Sequence, residues 1–216
     1  MVDAGMIIFF SLFIGFIMFI AFLTRLGFKR EAERTEDIKN FAISRGLDFY
    51  EKEDGNFVNV KKDFSLFMYG RRQTVKNIII KDKLLIFDYS YYISTGKGGS
   101  VKYFTVVEKK LTNNVPNFII KKQKKIHSLL KKVGYQDIDF KENPNFSSKY
   151  VLRGQNESMI KSYFNTQRLK DFENLHIKNK IEIKDNVLIC YVKRIQLKNY
   201  PEFIEEINKI INALEK

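Results

Sequence analysis

From Met6 to Leu23 the chain presents hydrophobic positions with no polar side, and no charged residue stands between Asp3 and Arg25. A helix of about 20 such residues covers the roughly 30 Å hydrocarbon thickness of a bilayer, whereas a core helix of a soluble domain keeps a polar stripe. The 13 Ile, Leu and Phe residues of the run contribute on the order of −5 kcal/mol to insertion, with no charge opposing it. The stretch is therefore predicted to be a transmembrane anchor. Only Asp3 precedes it, and no basic n-region or small-x-small site accompanies it, so the anchor is expected to stay uncleaved. Arg25, Lys29, Arg30 and Arg34 follow it, while no Lys or Arg precedes it. The positive-inside rule then puts the amino terminus outside and the body in the cytosol of a single-pass protein of the cell membrane.

Past the anchor (residues 1–28) the pattern changes to helical spacing. Ile38, Phe41 and Ala42 fall on one side of a juxtamembrane helix (29–46) that ends at Gly46, with Glu31 and Arg34 placed to pair one turn apart. The body, 47–216, then alternates. Leu47 and Phe49 form a short strand, and Phe57 to Met68 is a short helix or packed loop. Val75–Ile80 is a strand that turns through Lys81-Asp82-Lys83 into Leu84–Ile93. There Leu85, Phe87, Tyr89, Tyr91 and Ile93 share the side expected to face the core, opposite Ile86, Asp88, Ser90 and Tyr92. A loop Thr95–Ser100 leads to a strand Val101–Glu108. The linker-like stretch 111–117 is where the body divides if it holds two subdomains, and Phe118-Ile119-Ile120 is the next strand.

Ile126, Leu129, Leu130 and Val133 lie at helical spacing among lysines, giving a basic amphipathic helix that packs on the sheet. Phe146–Arg153 reads as a strand, Asn156 as the cap of a helix with Met159, Ile160, Tyr163 and Phe164, and Gln167–Leu175 as another helix. Ile177, Ile181 and Ile183 alternate with Lys178, Lys180, Glu182 and Lys184, and Asp185-Asn186 turns this strand into Val187–Val192. A last helix opens at Pro201 and carries Phe203, Ile207, Ile210, Ile211 and Leu214. The fold class is α+β: an anchor helix followed by a hairpin-built antiparallel sheet with packed helices.

Composition adds a formal net charge of +13, all of it on the body because Asp3 and Arg25 cancel. Attraction to the anionic leaflet, phosphate neutralisation on nucleic acid, and drift toward Lys, Asn, Ile, Phe and Tyr from an A+T-rich coding sequence each account for it. Drift carries the most weight and nucleic acid the least. A single cysteine, Cys190, agrees with a reducing compartment.

Candidate chemistry is sparse. Thr95–Ser100 with Lys97 lacks the G-x-x-x-x-G-K-[ST] spacing of a phosphate loop and precedes a strand, so it reads as a hairpin tip. His127, His176 and Cys190 have no metal-ligand spacing. Asp88 interrupts an apolar strand, and Asp137 and Asp139 flank Ile138, which puts both carboxylates on one side of an extended segment. Such acids bind metals or share protons less often than they pair with Arg, and Arg71, Arg72 and Arg153 are available. Tyr89, Tyr91, Tyr103 and Phe104 beside Lys97 and Lys102 form a core surface in preference to a stacking platform, since the RNA-binding octapeptide is absent. Ser11 and Gly15 make a small-xxx-small pair in the anchor. No catalytic, cofactor or metal residue is assigned. The expected partners are membrane lipids and a protein at the membrane surface, with a membrane-tethered acidic-site enzyme or nucleic-acid binder as alternatives.

Several segments resemble an uncharacterised prokaryotic family of membrane-anchored proteins with no established activity: Ser44–Tyr50, Gly70-Arg71-Arg72 with Asn77-Ile78, Ile86–Tyr91 into the Gly96-Lys97 loop, Gly134–Phe140 with Pro144–Ser147, and Tyr150–Gly154. The resemblance implies a shared fold and anchoring. In that pattern a His follows the Gly-Lys loop where Lys102 stands here, so any chemistry that His supplies is absent from this chain.

Overall fold

The computed structural model describes residues 4–53, 61–96, 98–123, 137–175 and 177–216. The basic helix expected around Ile126–Val133, the loop residue Lys97 and both histidines lie outside the described residues.

One helix, α1 (Ala4–Ile43), begins the chain. The juxtamembrane helix is thus a continuation of the apolar run, and Gly27 does not interrupt it. Forty residues at about 1.5 Å each make a rod of about 60 Å, twice a bilayer's hydrocarbon thickness. Its two halves differ in surroundings. Every described side chain from Gly5 to Arg25 is exposed, Leu12 by 71%, so among the described residues the apolar half has no packing partner in the body. One 18-residue window of this helix has mean hydropathy 2.2 with none of it buried. The polar half buries Ile38 and Ala42 completely. This is a helix long and apolar enough to cross a membrane, joined directly to a folded body.

The body is an eight-stranded antiparallel sheet that is not closed, in the order β1 (Asp48–Lys52), β2 (Arg71–Lys81), β3 (Leu84–Ser94), β4 (Gly99–Lys110), β8 (Val187–Lys193), β7 (Lys180–Lys184), β5 (Phe118–Lys122), β6 (Tyr150–Arg153). Two of its hairpins close through residue pairs with positive φ, Asp82-Lys83 at 49° and 64° and Asp185-Asn186 at 50° and 60°. These are type I′ turns, whose twist matches that of the flanking strands and for which Asp and Asn are suited. β4 pairs directly with β8, so the sheet runs across the two sides of the 111–117 stretch.

Layers cover both faces. On one, α1 lies with α2 (Pro144–Lys149), α3 (Glu157–Tyr163), α4 (Thr166–Asn174) and α5 (Tyr200–Glu215) over Ile79, Ile86, Val107, Ile120, Leu152, Ile181, Ile183 and Cys190. On the other, the 61–69 segment packs Phe64, Leu66 and Phe67 against Val75, Ile78, Phe87, Tyr89, Tyr91, Val106 and Ile189. The described part of the aromatic stretch, 61–68, is thus a packed loop and not a helix. Because both faces are covered, β3 is not divided into a core side and a wet side: Phe87 and Tyr89 are buried on one face, Ile86 and Asp88 on the other.

Two other expectations need correction. Phe146–Arg153 is helix before it is strand, because the Asn143 side chain caps the amide of Phe146 and Pro144 occupies the first turn, where its missing N–H costs nothing. Only Tyr150–Arg153 is extended. Glu31 and Arg34 do not pair with each other; each reaches across to the sheet.

Candidate functional site: the helix–sheet junction

Where α1 crosses the sheet, apolar packing gives way to buried charge. Asp88 on β3 is 7% exposed. Its Oδ2 accepts from Arg34 Nε at 2.7 Å and from Asn77 Nδ2 at 2.9 Å, and its Oδ1 accepts from Arg34 Nη2 at 2.8 Å. This fork-to-fork geometry is the strong form of an Arg–carboxylate pair. Arg34 also donates from Nη1 to the Ile195 carbonyl at 3.0 Å and from Nη2 to the Tyr200 hydroxyl at 3.2 Å. Burial, and then the nearby Asp88 charge, hold the Tyr200 phenol above its ordinary pKa.

Asn77 reaches this site through backbone irregularity. β2 slips register between Lys76 and Ile79, and Asn77 takes φ 54° in the slip. Asn tolerates the left-handed region better than its Ile neighbours, and the bulge turns its amide onto Asp88. One helical turn nearer the apolar run, Arg194 donates from Nη1 and Nη2 to the two Glu31 oxygens at 2.8 and 2.7 Å. Its guanidinium lies 4.2 Å over the Tyr103 ring. Thr105, fully buried, accepts from the Ile195 amide at 3.2 Å. Two bidentate ion pairs and a shared loop therefore clamp α1 to β3, β4 and the chain leaving β8.

The other acids lie elsewhere. Asp137 and Asp139 line one cleft of about 660 Å³ together with Lys141, Glu157 and Lys161, beside edge strand β6. Asp137 Oδ1 accepts from Arg153 Nε at 2.6 Å. Asp88 stands five strand positions away in the sheet order, roughly 24 Å at the usual spacing. The three candidate acids thus do not converge. Cys190 is wholly buried and its thiol is pushed up by burial, so it behaves as a small apolar side chain. Tyr89, Tyr91 and Phe104 form a chain of ring contacts inside the second core layer, while Tyr103 stays 38% exposed. Among the described residues no group of three His, Cys, Asp or Glu side chains is placed to hold a metal ion.

A second buried acid escaped the sequence reading. Glu182, among the charged positions that alternate with Ile181 and Ile183 on β7, is 1% exposed. The 61–69 loop covers it: the Ser65 amide donates at 3.0 Å, the Ser65 hydroxyl donates to Oε2, and Lys180 and Lys184 stand 3.5 and 3.6 Å away. Burial lowers the Lys180 ammonium, against the Glu182 charge that raises it. This cluster pins the loop to the sheet.

No family model and no curated protein matches the chain. Its fold is similar to that of the crystal structure of the mycobacterial trehalose monomycolate transport factor A, TtfA, with a TM-score of 0.55 and 10% identity over 84% of this chain and 94% of that one. At this identity the likeness is one of fold.

Proposed function

We propose that this protein is a single-pass membrane protein whose basic body stands on the cytosolic side and binds a protein partner at the membrane surface, without catalysis. The observation that carries the reading is the junction. α1 passes from its apolar half to the sheet without a break, and the Arg34–Asp88 and Glu31–Arg194 pairs fix it there. A flexible linker would let the body swing freely about the helix; this connection fixes it relative to α1. Arg25, Lys29 and Arg30, directly after the apolar run, support the cytosolic side for the body. Dispersal of Asp88 from Asp137 and Asp139 favours binding over acid chemistry. The fold it shares with a transport factor is compatible with this reading.

The test is purification of the full chain from detergent-solubilised membranes, with crosslinks mapped onto residues 47–216. A partner crosslinked to the body is expected. A chain recovered alone that turns over a compound in a substrate screen overturns the proposal.

A further inference from the structure

Because α1 is clamped at three successive levels, the body's orientation along it can be read residue by residue. Ile38 and Ala42 enter the core cluster that also holds Ile79 and Ile86, Arg34 meets Asp88, and Glu31 meets Arg194. The Arg194 amide in turn donates to the carbonyl of Tyr103, the partner of Ser90. Moving along α1 toward its apolar half is therefore moving along β3 from Ile86 toward Ser94. From Glu31 back to Arg25 the helix advances about 9 Å, and from Ser90 on to Ser94 the strand advances about 13 Å. With β3 keeping this direction beside α1, its Ser94 end reaches the level of Arg25, where the apolar run stops, and about 4 Å beyond.

That end of the sheet has a composition to match. No acidic residue occurs in 64–81 or in 89–107. Arg71, Arg72 and Lys102 are exposed there, with Tyr69, Val101 and Tyr103 exposed by 61, 45 and 38%. Tyrosines beside basic side chains are the residues that settle at the headgroup level, where rings sit in the interface and cations meet lipid phosphates.

Resting on the anchored reading of α1, we infer that this end of the sheet, carrying Arg71, Arg72, Val101, Lys102 and Tyr103, is a docking surface for an anionic phospholipid leaflet. α1 sets its depth, and the basic residues hold the body against tilting away.

The test uses the full chain in lipid nanodiscs of phosphatidylcholine with or without phosphatidylglycerol. In a Cys190→Ala background, a fluorophore is placed at Ser100→Cys or, at the opposite end of β3, at Lys83→Cys, and a headgroup-nitroxide lipid serves as quencher. The expected result is strong quenching at position 100 in anionic discs and little at 83. Arg71→Gln and Lys102→Gln should each lower the ratio of docked to undocked body about fivefold. Equal quenching at the two positions, or quenching at 100 that ignores both lipid charge and these substitutions, overturns the docking surface. A chain that does not enter discs at all overturns the anchor itself, a separate failure.

Discussion

The guanidinium of Arg34 grips both carboxylate oxygens of Asp88, at 2.7 and 2.8 Å, although 54 positions separate the two residues. One belongs to the helix that carries the apolar run, the other to the third strand of the sheet. A charge pair this enclosed gains stability only when its remaining hydrogen-bonding capacity is met, and here Asn77, Tyr200 and the Ile195 carbonyl meet it. Its effect is to give the helix one register on the sheet.

Removing one partner leaves the other buried and unpaired. Asp88→Ala is expected to destabilise the body by about 3–5 kcal/mol, and Arg34→Met by a similar amount. The double substitution Arg34→Met/Asp88→Leu is expected to cost much less than the sum of the singles. Denaturant unfolding in detergent measures all three; additive losses would mean the two residues do not act as a pair.

Ser65 donates to the buried Glu182 from both its amide and its hydroxyl. Ser65→Ala should cost about 1–3 kcal/mol, since the hydroxyl's share of that carboxylate's solvation is lost. It should also raise proteolytic nicking of the 61–69 loop before it affects global unfolding. Unchanged loop protection would show that the cluster does not pin it.

High pH should weaken the fold. Burial pushes Tyr163 and Tyr191 up to about 12, and pushes Tyr89 and Tyr200 up as well. In the unfolded chain tyrosine ionises near 10. Between those values the unfolded state binds fewer protons, so stability is intact below about pH 10 and falls as pH rises toward 12. Lys180, held below its ordinary value, has the opposite sign but is one group against four. Unfolding midpoints measured across this range should decline; a flat profile would contradict the burial of these phenols.

A charge in the apolar half of α1 should disturb insertion alone. Ile14→Arg adds about 2.5–3.5 kcal/mol to the insertion free energy. It lies far from the ion pairs at Glu31 and Arg34, so the body should keep its fold while less of the chain enters membranes. Loss of the body's fold in this variant would show that the two halves are not independent.

The local part of this architecture is written in local signals. The apolar run, the alternation around Ile181 and Ile183, and the turn pairs Asp82-Lys83 and Asp185-Asn186 each reflect a short-range physical requirement. α2 was also legible in principle, since Asn143 followed by Pro144 is a helix start, but the β-branched and aromatic residues after it argued for a strand. The junction was not legible. Arg34 is one of several basic residues after the run, and only the fold decides that it, and not Arg71 or Arg72, reaches Asp88. Glu182 was not singled out for the same reason: alternation gives the face of a strand, not whether a distant loop covers that face.

Extraction of whole membranes with alkaline carbonate tests the central claim most directly, because it strips peripheral proteins and leaves spanning helices in lipid. The full-length chain should remain in the membrane pellet, and its recovery in the supernatant would contradict a bilayer-spanning α1.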